Sequence, residues 1–155
     1  MIRLALFQPD IPQNAGTMLR LAGCLGIPAE IIEPCGFVFS DKHLRRAGMD
    51  YLSQVELTRH VSWETFQESR LSDGARLILL TTGGDTLYTD FSFREGDILM
   101  VGRESAGAPE QVHEAAAARL LVPMRAQSRS LNVAAAAAMV VGEALRQTGG
   151  FPVIP

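Results

Sequence analysis

QSRSLNVAAAAAMVVG, residues 127–142, runs two serines, an arginine and an asparagine straight into five alanines and an almost unbroken apolar segment. A helix that is apolar all round is ordinarily buried on every side. The polar turn that opens it therefore either caps a core helix or lines a site enclosed by protein. The segments upstream bear on that choice. LLVPM (120–124) reads as a short strand feeding the turn. RLILLTT (76–82) and DILMVG (97–102) are continuous apolar runs bounded by glycine or charge, as buried strands are.

Further out, IRLALF (2–7) reads as a buried strand, followed by the turn QPDIPQN and a helix over AGTMLRLAGCLG (15–26). AEIIEP (29–34) is a second strand, DKHLRRAG (41–48) a short helix, QVELTRHV (54–61) a strand and WETFQESRL (63–71) a helix. PEQVHEAAAAR (109–119) suits a helix with proline in its first turn. Strands alternating with helices, several apolar throughout, predict an α/β fold with a parallel sheet covered on both faces.

Parallel sheets bind ligands beyond the carboxyl ends of their strands. Here those ends read TTGG (81–84), GRESAG (102–107) and PM followed by the polar turn. Glycine lets backbone approach a ligand closely, and three such ends in one half of the chain favour one pocket.

The chain has 155 residues, 47% hydrophobic and 20% charged, as expected of a single globular domain over 1–155. Cys24 and Cys35 form no CxxC pair, and His43, His60 and His113 show neither metal-ligand nor triad spacing, so no metal is expected. The apolar stretch from Leu131 to Gly142 is short of the ~20 residues that span a membrane, and the N-terminus lacks a signal-peptide pattern. A cytoplasmic protein is expected. Net charge is −3, which argues against indiscriminate nucleic-acid binding. Charge is unevenly spread, however: no acid occurs between Glu114 and Glu143, where Arg119, Arg125 and Arg129 fall, and Lys42, His43, Arg45 and Arg46 form a second basic group. The first strand is not followed by G-x-G-x-x-G, and neither a Walker A sequence nor a nucleophile elbow occurs. Glu33, which could suit a ribose, lacks the accompanying glycines and reads as structural.

Three stretches together are more specific. PQNAGTMLR (12–20), MVGRESAGAP (100–109) and VPMRAQSRSLNVAAAAA (122–138) resemble, in order, the three motifs of SPOUT-class RNA 2′-O-ribose methyltransferases. IIEPCGF, DKHLRRAGMDY and TRH add a resemblance to the short bacterial TrmL-type enzymes that methylate the wobble cytidine or uridine of tRNA. The resemblance covers nearly the whole chain. It implies a C-terminal deep trefoil knot, S-adenosylmethionine held bent in the knot loops, a homodimer packed through the last helix, and leucine-type tRNAs bound at the anticodon stem-loop without an added RNA-binding domain.

Carried over by position, Leu80, Gly102, Val122 and Ser130 match cofactor contacts, and Thr81, Thr82, Gly83, Leu121, Met124, Leu131 and Asn132 complete that pocket. Gly107 and Pro123 belong with the same loops, as does Glu104, a loop organiser or substrate contact rather than a proton acceptor. Arg20 matches the catalytic arginine, with Ser130 and Asn132 beside it. A guanidinium stays protonated in proteins, so Arg20 is expected to position charge rather than accept a proton. Arg20, Lys42, Arg45, Arg46 and Arg129 are the expected RNA contacts. Many relatives carry a tyrosine where this chain has Gly142. Two alternatives remain open: a methyltransferase of another RNA such as ribosomal RNA, and a knotted RNA-binding dimer without turnover.

Overall fold

The computed structural model describes residues 1–40, 42 and 52–155. Seven strands make one sheet: β1 (Arg3–Phe7), β2 (Ala29–Ile32), β3 (Leu57–His60), β4 (Leu77–Leu80), β5 (Thr86–Leu87), β6 (Ile98–Val101) and β7 (Ala118–Leu121). Their order is β3-β2-β1-β6-β4-β7-β5, and every neighbouring pair is parallel. The expected parallel-sheet α/β architecture is therefore present. Four helices cover it: α1 (Pro12–Leu25), α2 (Trp63–Asp73), α3 (Glu110–Ala115) and α4 (Val133–Thr148).

Period-two alternation explains why the central strands are apolar throughout. Leu4, Leu6, Ile78, Leu99 and Val101 face one layer, with Met18, Leu19 and Ala22 of α1 and Ala137, Val140 and Val141 of α4. Ala5, Phe7, Leu77, Leu79, Ile98 and Met100 face the other, with Trp63 and Phe66 of α2 and Val112 of α3. Both faces are covered, so both sets must be hydrophobic. Trp63, the one tryptophan of the sequence, stands edge-on to Phe7 at 6.0 Å and beside Phe66 at 5.5 Å. Ser62 starts α2: its hydroxyl accepts the Thr65 N–H and its own N–H donates to the Thr65 hydroxyl, both at 3.2 Å.

Several boundaries depart from the sequence reading: α1 starts at Pro12, inside the expected turn, and β3 is confined to Leu57–His60. The helix expected over 109–119 stops at Ala115, and β7 begins at Ala118 rather than at Leu120. Ala117 N–H donates to Leu77 O at 2.8 Å, and Ala118 and Arg119 pair with Ile78 and Leu79. The ladder with β4 overrides the helical preference of the alanines. The two-residue edge strand β5 carries no alternation that a sequence could display. The short helix expected over 41–48 lies outside the described residues, apart from Lys42. α4 is also less enclosed than its composition suggests, because Ala135, Ala138 and Met139 are exposed in the single chain. Among the described residues no helix is long and apolar enough to cross a membrane.

Ion pairs fix the end of the sheet where the strands begin. Asp97, 1% exposed, accepts both arms of the Arg76 guanidinium at 2.8 and 2.7 Å and the Arg94 N–H at 2.8 Å. The hydrogen-bonded carboxylate pushes the Arg76 pKa up, and the guanidinium also lies 5.2 Å from the Phe91 ring centre. On the neighbouring edge, buried Glu30 bonds His60 Nε2 at 2.7 Å and Arg3 at 3.1 Å, and Arg3 continues to Asp73 at the end of α2. Removing one partner of a buried pair strands the other charge. Asp97→Ala is therefore expected to cost about 3–5 kcal/mol, read as a lower denaturant midpoint. Glu143→Ala, whose partner Arg146 is exposed on α4, should barely move that midpoint.

Candidate functional site

Strands β6, β4 and β7 are neighbours, so their carboxyl ends deliver three loops to one place. After β4 the chain folds tightly against β7: Thr81 N–H donates to Leu120 O at 2.9 Å and Asp85 N–H to Arg119 O at 3.2 Å. A Cβ on Gly84 would lie 2.7 Å from Leu120 C and 2.8 Å from Arg119 O. After β6, Arg103 and Gly107 exchange two backbone hydrogen bonds at 3.0 and 2.8 Å, closing a small loop. A Cβ on Gly102 would lie 2.6 Å from Gly107 C and 2.7 Å from Ala108 N. Only glycine fits at either crossing. The third loop, after β7, contains a turn in which Ser128 N–H donates to Arg125 O at 2.9 Å.

These loops and the start of α4 surround a cavity of about 770 Å³. That volume suits a small organic ligand. Its wall is mixed: aliphatic groups from Leu80, Val101, Leu121, Val122 and Leu131 stand beside the hydroxyls of Thr81, Thr82, Ser128 and Ser130.

The polar turn before α4 serves as both cap and site wall. Asn132 Oδ1 accepts the N–H groups of Ala134 and Ala135 at 2.9 and 3.3 Å, satisfying two donors that the helix start leaves unpaired. Its Nδ2 donates to Asn14 Oδ1 at 3.0 Å, tying α4 to the first turn of α1. Ser130, Leu131 and Asn132 all face the cavity, as does Asn14.

A carboxyl pair joins the turn before α1 to the loop after β6. Asp10 N–H donates to Glu104 Oε2 at 3.0 Å, and Glu104 N–H donates to Asp10 Oδ1 at 3.2 Å. The Ser105 hydroxyl donates to Asp10 Oδ2, and Arg103 Nε lies 3.8 Å from that oxygen. Burial, then the side-chain hydrogen bond with Asp10, pushes the Glu104 carboxyl up. The same hydrogen bond, helped by Ser105 and the Glu104 N–H, draws Asp10 down to about 2 against the opposing effect of burial. The two carboxyl groups are thus pushed in opposite directions, Glu104 up and Asp10 down.

Of the residues expected at the cofactor pocket, Leu80, Thr81, Thr82, Gly102, Glu104, Gly107, Leu121, Val122, Met124, Ser130, Leu131 and Asn132 line this cavity. Gly83 and Pro123 do not reach its wall: Gly83 N–H turns back onto the Thr81 hydroxyl at 3.2 Å, and Pro123 is exposed. Arg129 lines it as well. Arg20 is exposed on α1 outside the cavity wall, six residues beyond Asn14 or about 9 Å along the helix. Lys42 is exposed, while Arg45 and Arg46 lie outside the described residues. Sequence reasoning missed Asp10, Asn14 and Arg103 as parts of the site, and placed Arg125 only in a basic segment. Asn14 and Arg103 stand inside stretches already singled out, and Arg125 inside the polar turn. Asp10 carried only the weak signal of an acid two residues before the first motif. Among the described residues no group of three or more His, Cys, Asp or Glu could hold a metal ion.

The double duty of Asn132 can be separated. Asn132→Ala should lower unfolding free energy by about 1 kcal/mol through loss of the cap. Asn132→Asp should recover that stability, since an aspartate also caps, yet leave the bond to Asn14 Oδ1 unmade. Unfolding midpoints of the two variants, compared with their ligand affinities, check this.

Comparison with known proteins agrees with this geometry. Residues 1–142 match the SpoU rRNA Methylase family. A tRNA (cytidine(34)-2′-O)-methyltransferase of Beijerinckia indica is 64% identical over 148 residues, spanning 96% of this chain and 92% of that protein. The enzyme of the same name from Escherichia coli K12 is 40% identical over 96% of this chain and 95% of its own. A solved structure concerned with the 2-OH methylation of C/U34 on tRNA superposes with a TM-score of 0.89 at 44% identity, covering 95% of both chains. An AdoMet-bound rRNA methyltransferase from Sinorhizobium meliloti superposes at 0.84 with 25% identity, covering 94% of this chain and 56% of its own. By the extent of these matches and the motifs that wall the cavity, the chain belongs to the SpoU methylase family.

Proposed function

We propose that this protein transfers a methyl group from S-adenosylmethionine to the ribose 2′-hydroxyl of nucleotide 34, the wobble cytidine or uridine, in tRNA. The observation that carries the reading is the convergence of three neighbouring strand-end loops on one cavity, two of them bearing family motifs and the third motif reaching the wall through Asn14 of α1. The cavity suits the cofactor: backbone crosses backbone where Gly102 and Gly84 leave out a side chain, so peptide N–H and C=O groups are available to a flat heterocycle. Leu80, Gly102, Val122 and Ser130 would hold it. When bound, it supplies a methyl group already activated on a sulfonium.

The chain's own task is then alignment and charge. Ser130 and Asn132 stand at the mouth of the α4 turn, where a ribose hydroxyl can be oriented. Arg20, permanently charged, steadies the phosphate or developing oxyanion of a nucleotide lying between the cavity and the exposed face of α1. Arg129, Lys42, Arg45 and Arg46 grip further phosphates of the anticodon stem-loop.

A homodimer and a deep trefoil knot in the C-terminal half complete the proposal. Leu131 and Met139, 41% and 43% exposed, continue through Ala135 and Ala138 as an apolar stripe that a second copy would cover. A Cβ on Gly142 would meet nothing within 4 Å, so this helix is flat where many relatives place an aromatic ring. Close backbone crossings at Gly84 and Gly102 are the packing a knot demands. The whole chain then works as one domain, in the cytoplasm with its tRNA substrate.

Calorimetry with S-adenosylhomocysteine and mapping of ribose methylation on tRNA exposed to the purified protein test the assignment. Methylation is expected at nucleotide 34; modification confined to ribosomal RNA, or none, would refute it. Arg20→Ala should lower turnover with less effect on tRNA affinity. Replacing Arg45 and Arg46 together by alanine should weaken tRNA binding and flatten its salt dependence, with cofactor affinity intact.

A further inference from the structure

The turn between β1 and α1 is held in a form that its own sequence does not favour. Gln8 has φ 42°, in the left-handed region, without being glycine. Such a residue persists only where its surroundings over-determine it. Those surroundings are specific. Gln8 N–H donates to Ile32 O at 2.9 Å, and its side-chain oxygen faces Arg103 Nη1 at 3.4 Å. Gly36 N–H donates to Pro9 O at 2.9 Å, and Gly36 lies so close that a Cβ there would fall 2.5 Å from Asp10 Cβ. Asp10 is thus clamped by backbone on one side and by Glu104 and Ser105 on the other. Glu104 in turn lines the cavity, while four residues after Asp10 comes Asn14, which lines it too and bonds Asn132.

We propose that Asp10 is a positioning residue for methyl transfer: its reciprocal bonds with Glu104 lock the β1–α1 turn to the loop after β6, and the lock opens when Glu104 loses its proton. The inference rests on the cofactor reading of the cavity. Glu104 Oε1 is buried with no hydrogen-bond partner among the described residues, so a negative charge on this carboxyl would be poorly solvated. Once Glu104 ionises, two carboxylates face each other at close range, and Arg103, 3.8 Å from Asp10 Oδ2, is the nearest positive charge. The other titratable group facing the pair is the Cys35 thiol, which burial first, and then the charge of Glu33, pushes up to about 11. It stays neutral through the range that matters. Arg59 and Glu33 beyond it pair with each other. Loss of the lock releases both the loop behind the cofactor and the start of α1.

The sign follows from the direction of the Glu104 shift. Below its raised titration point the lock is closed; above it the lock opens. Cofactor affinity should therefore fall as pH rises through that point, scanned from about pH 5 to about pH 9. Glu104→Gln keeps a donor toward Asp10 at every pH, so this variant should lose the pH-dependent fall, whatever its absolute affinity. Asp10→Ala should raise Kd for S-adenosylhomocysteine about tenfold, as misplaced supporting groups do, and Asp10→Asn should recover most of it. Amide hydrogen exchange over residues 102–108, measured without ligand, reads the lock itself: Asp10→Ala should speed it, with circular dichroism unchanged. If wild type failed to bind S-adenosylhomocysteine at all, the cofactor reading would fall while the exchange result still decided the lock. Exchange rates in Asp10→Ala within twofold of wild type, or parallel pH profiles for wild type and Glu104→Gln, would overturn the proposal.

Discussion

Backbone lies against backbone at Gly84 and Gly102, with room for a hydrogen atom and nothing larger. The cavity depends on this constraint. Parallel strands β6, β4 and β7 are spaced by their ladder, so loops leaving their ends would splay apart if each carried side chains between them. At Gly84 the loop after β4 lies directly on β7, and at Gly102 the loop after β6 folds onto itself, so both stay close to the sheet. The apolar strands below them, buried on both faces, give the loops a rigid floor.

Charge is distributed along the sheet with the same logic. Arg76–Asp97, where β4 and β6 begin, and Arg3–Glu30–His60, on the β1–β2–β3 side, are networks whose members satisfy one another. They anchor. At the carboxyl end the polar groups face a cavity, and Asp10 and Glu104 tie two loops together by reciprocal backbone-to-carboxylate hydrogen bonds. Basic residues cluster at this end while acids are missing from residues 115–142, so a neutral-to-acidic protein still offers a polyanion one favourable side.

Much of this was legible in the sequence, for physical reasons that differ by element. The central strands announced themselves because burial on both faces demands unbroken apolar runs, as in LILL and ILMV. Two of the three loops were legible because glycine at a strand end is a backbone requirement, and the third because a polar turn runs straight into an apolar helix. What escaped was decided by pairing across the fold. Ala116–Arg119 has the composition of a helix and becomes linker and strand because β4 offers a ladder. β5 is two residues long and exists only because β7 lies beside it. Asp10 could not be linked to Glu104, 94 positions away, by any periodicity. The exposed stripe on α4 was hidden by composition, since alanine reads alike on a buried and an open face.

The placement of Trp63 bears on how such a molecule can be watched. The sequence has one tryptophan, and it sits in the layer formed with Phe7 and Phe66, on the face of the sheet away from α1 and α4. Its emission reports whether that layer is intact and is nearly blind to the helices that carry Asn14 and Asn132. Fluorescence therefore views one layer, whereas far-ultraviolet dichroism averages over the helices and strands of both. If the α1–α4 half loosens first under heat or denaturant, the two signals will part company. A single transition seen by fluorescence alone would then overstate the cooperativity of the whole.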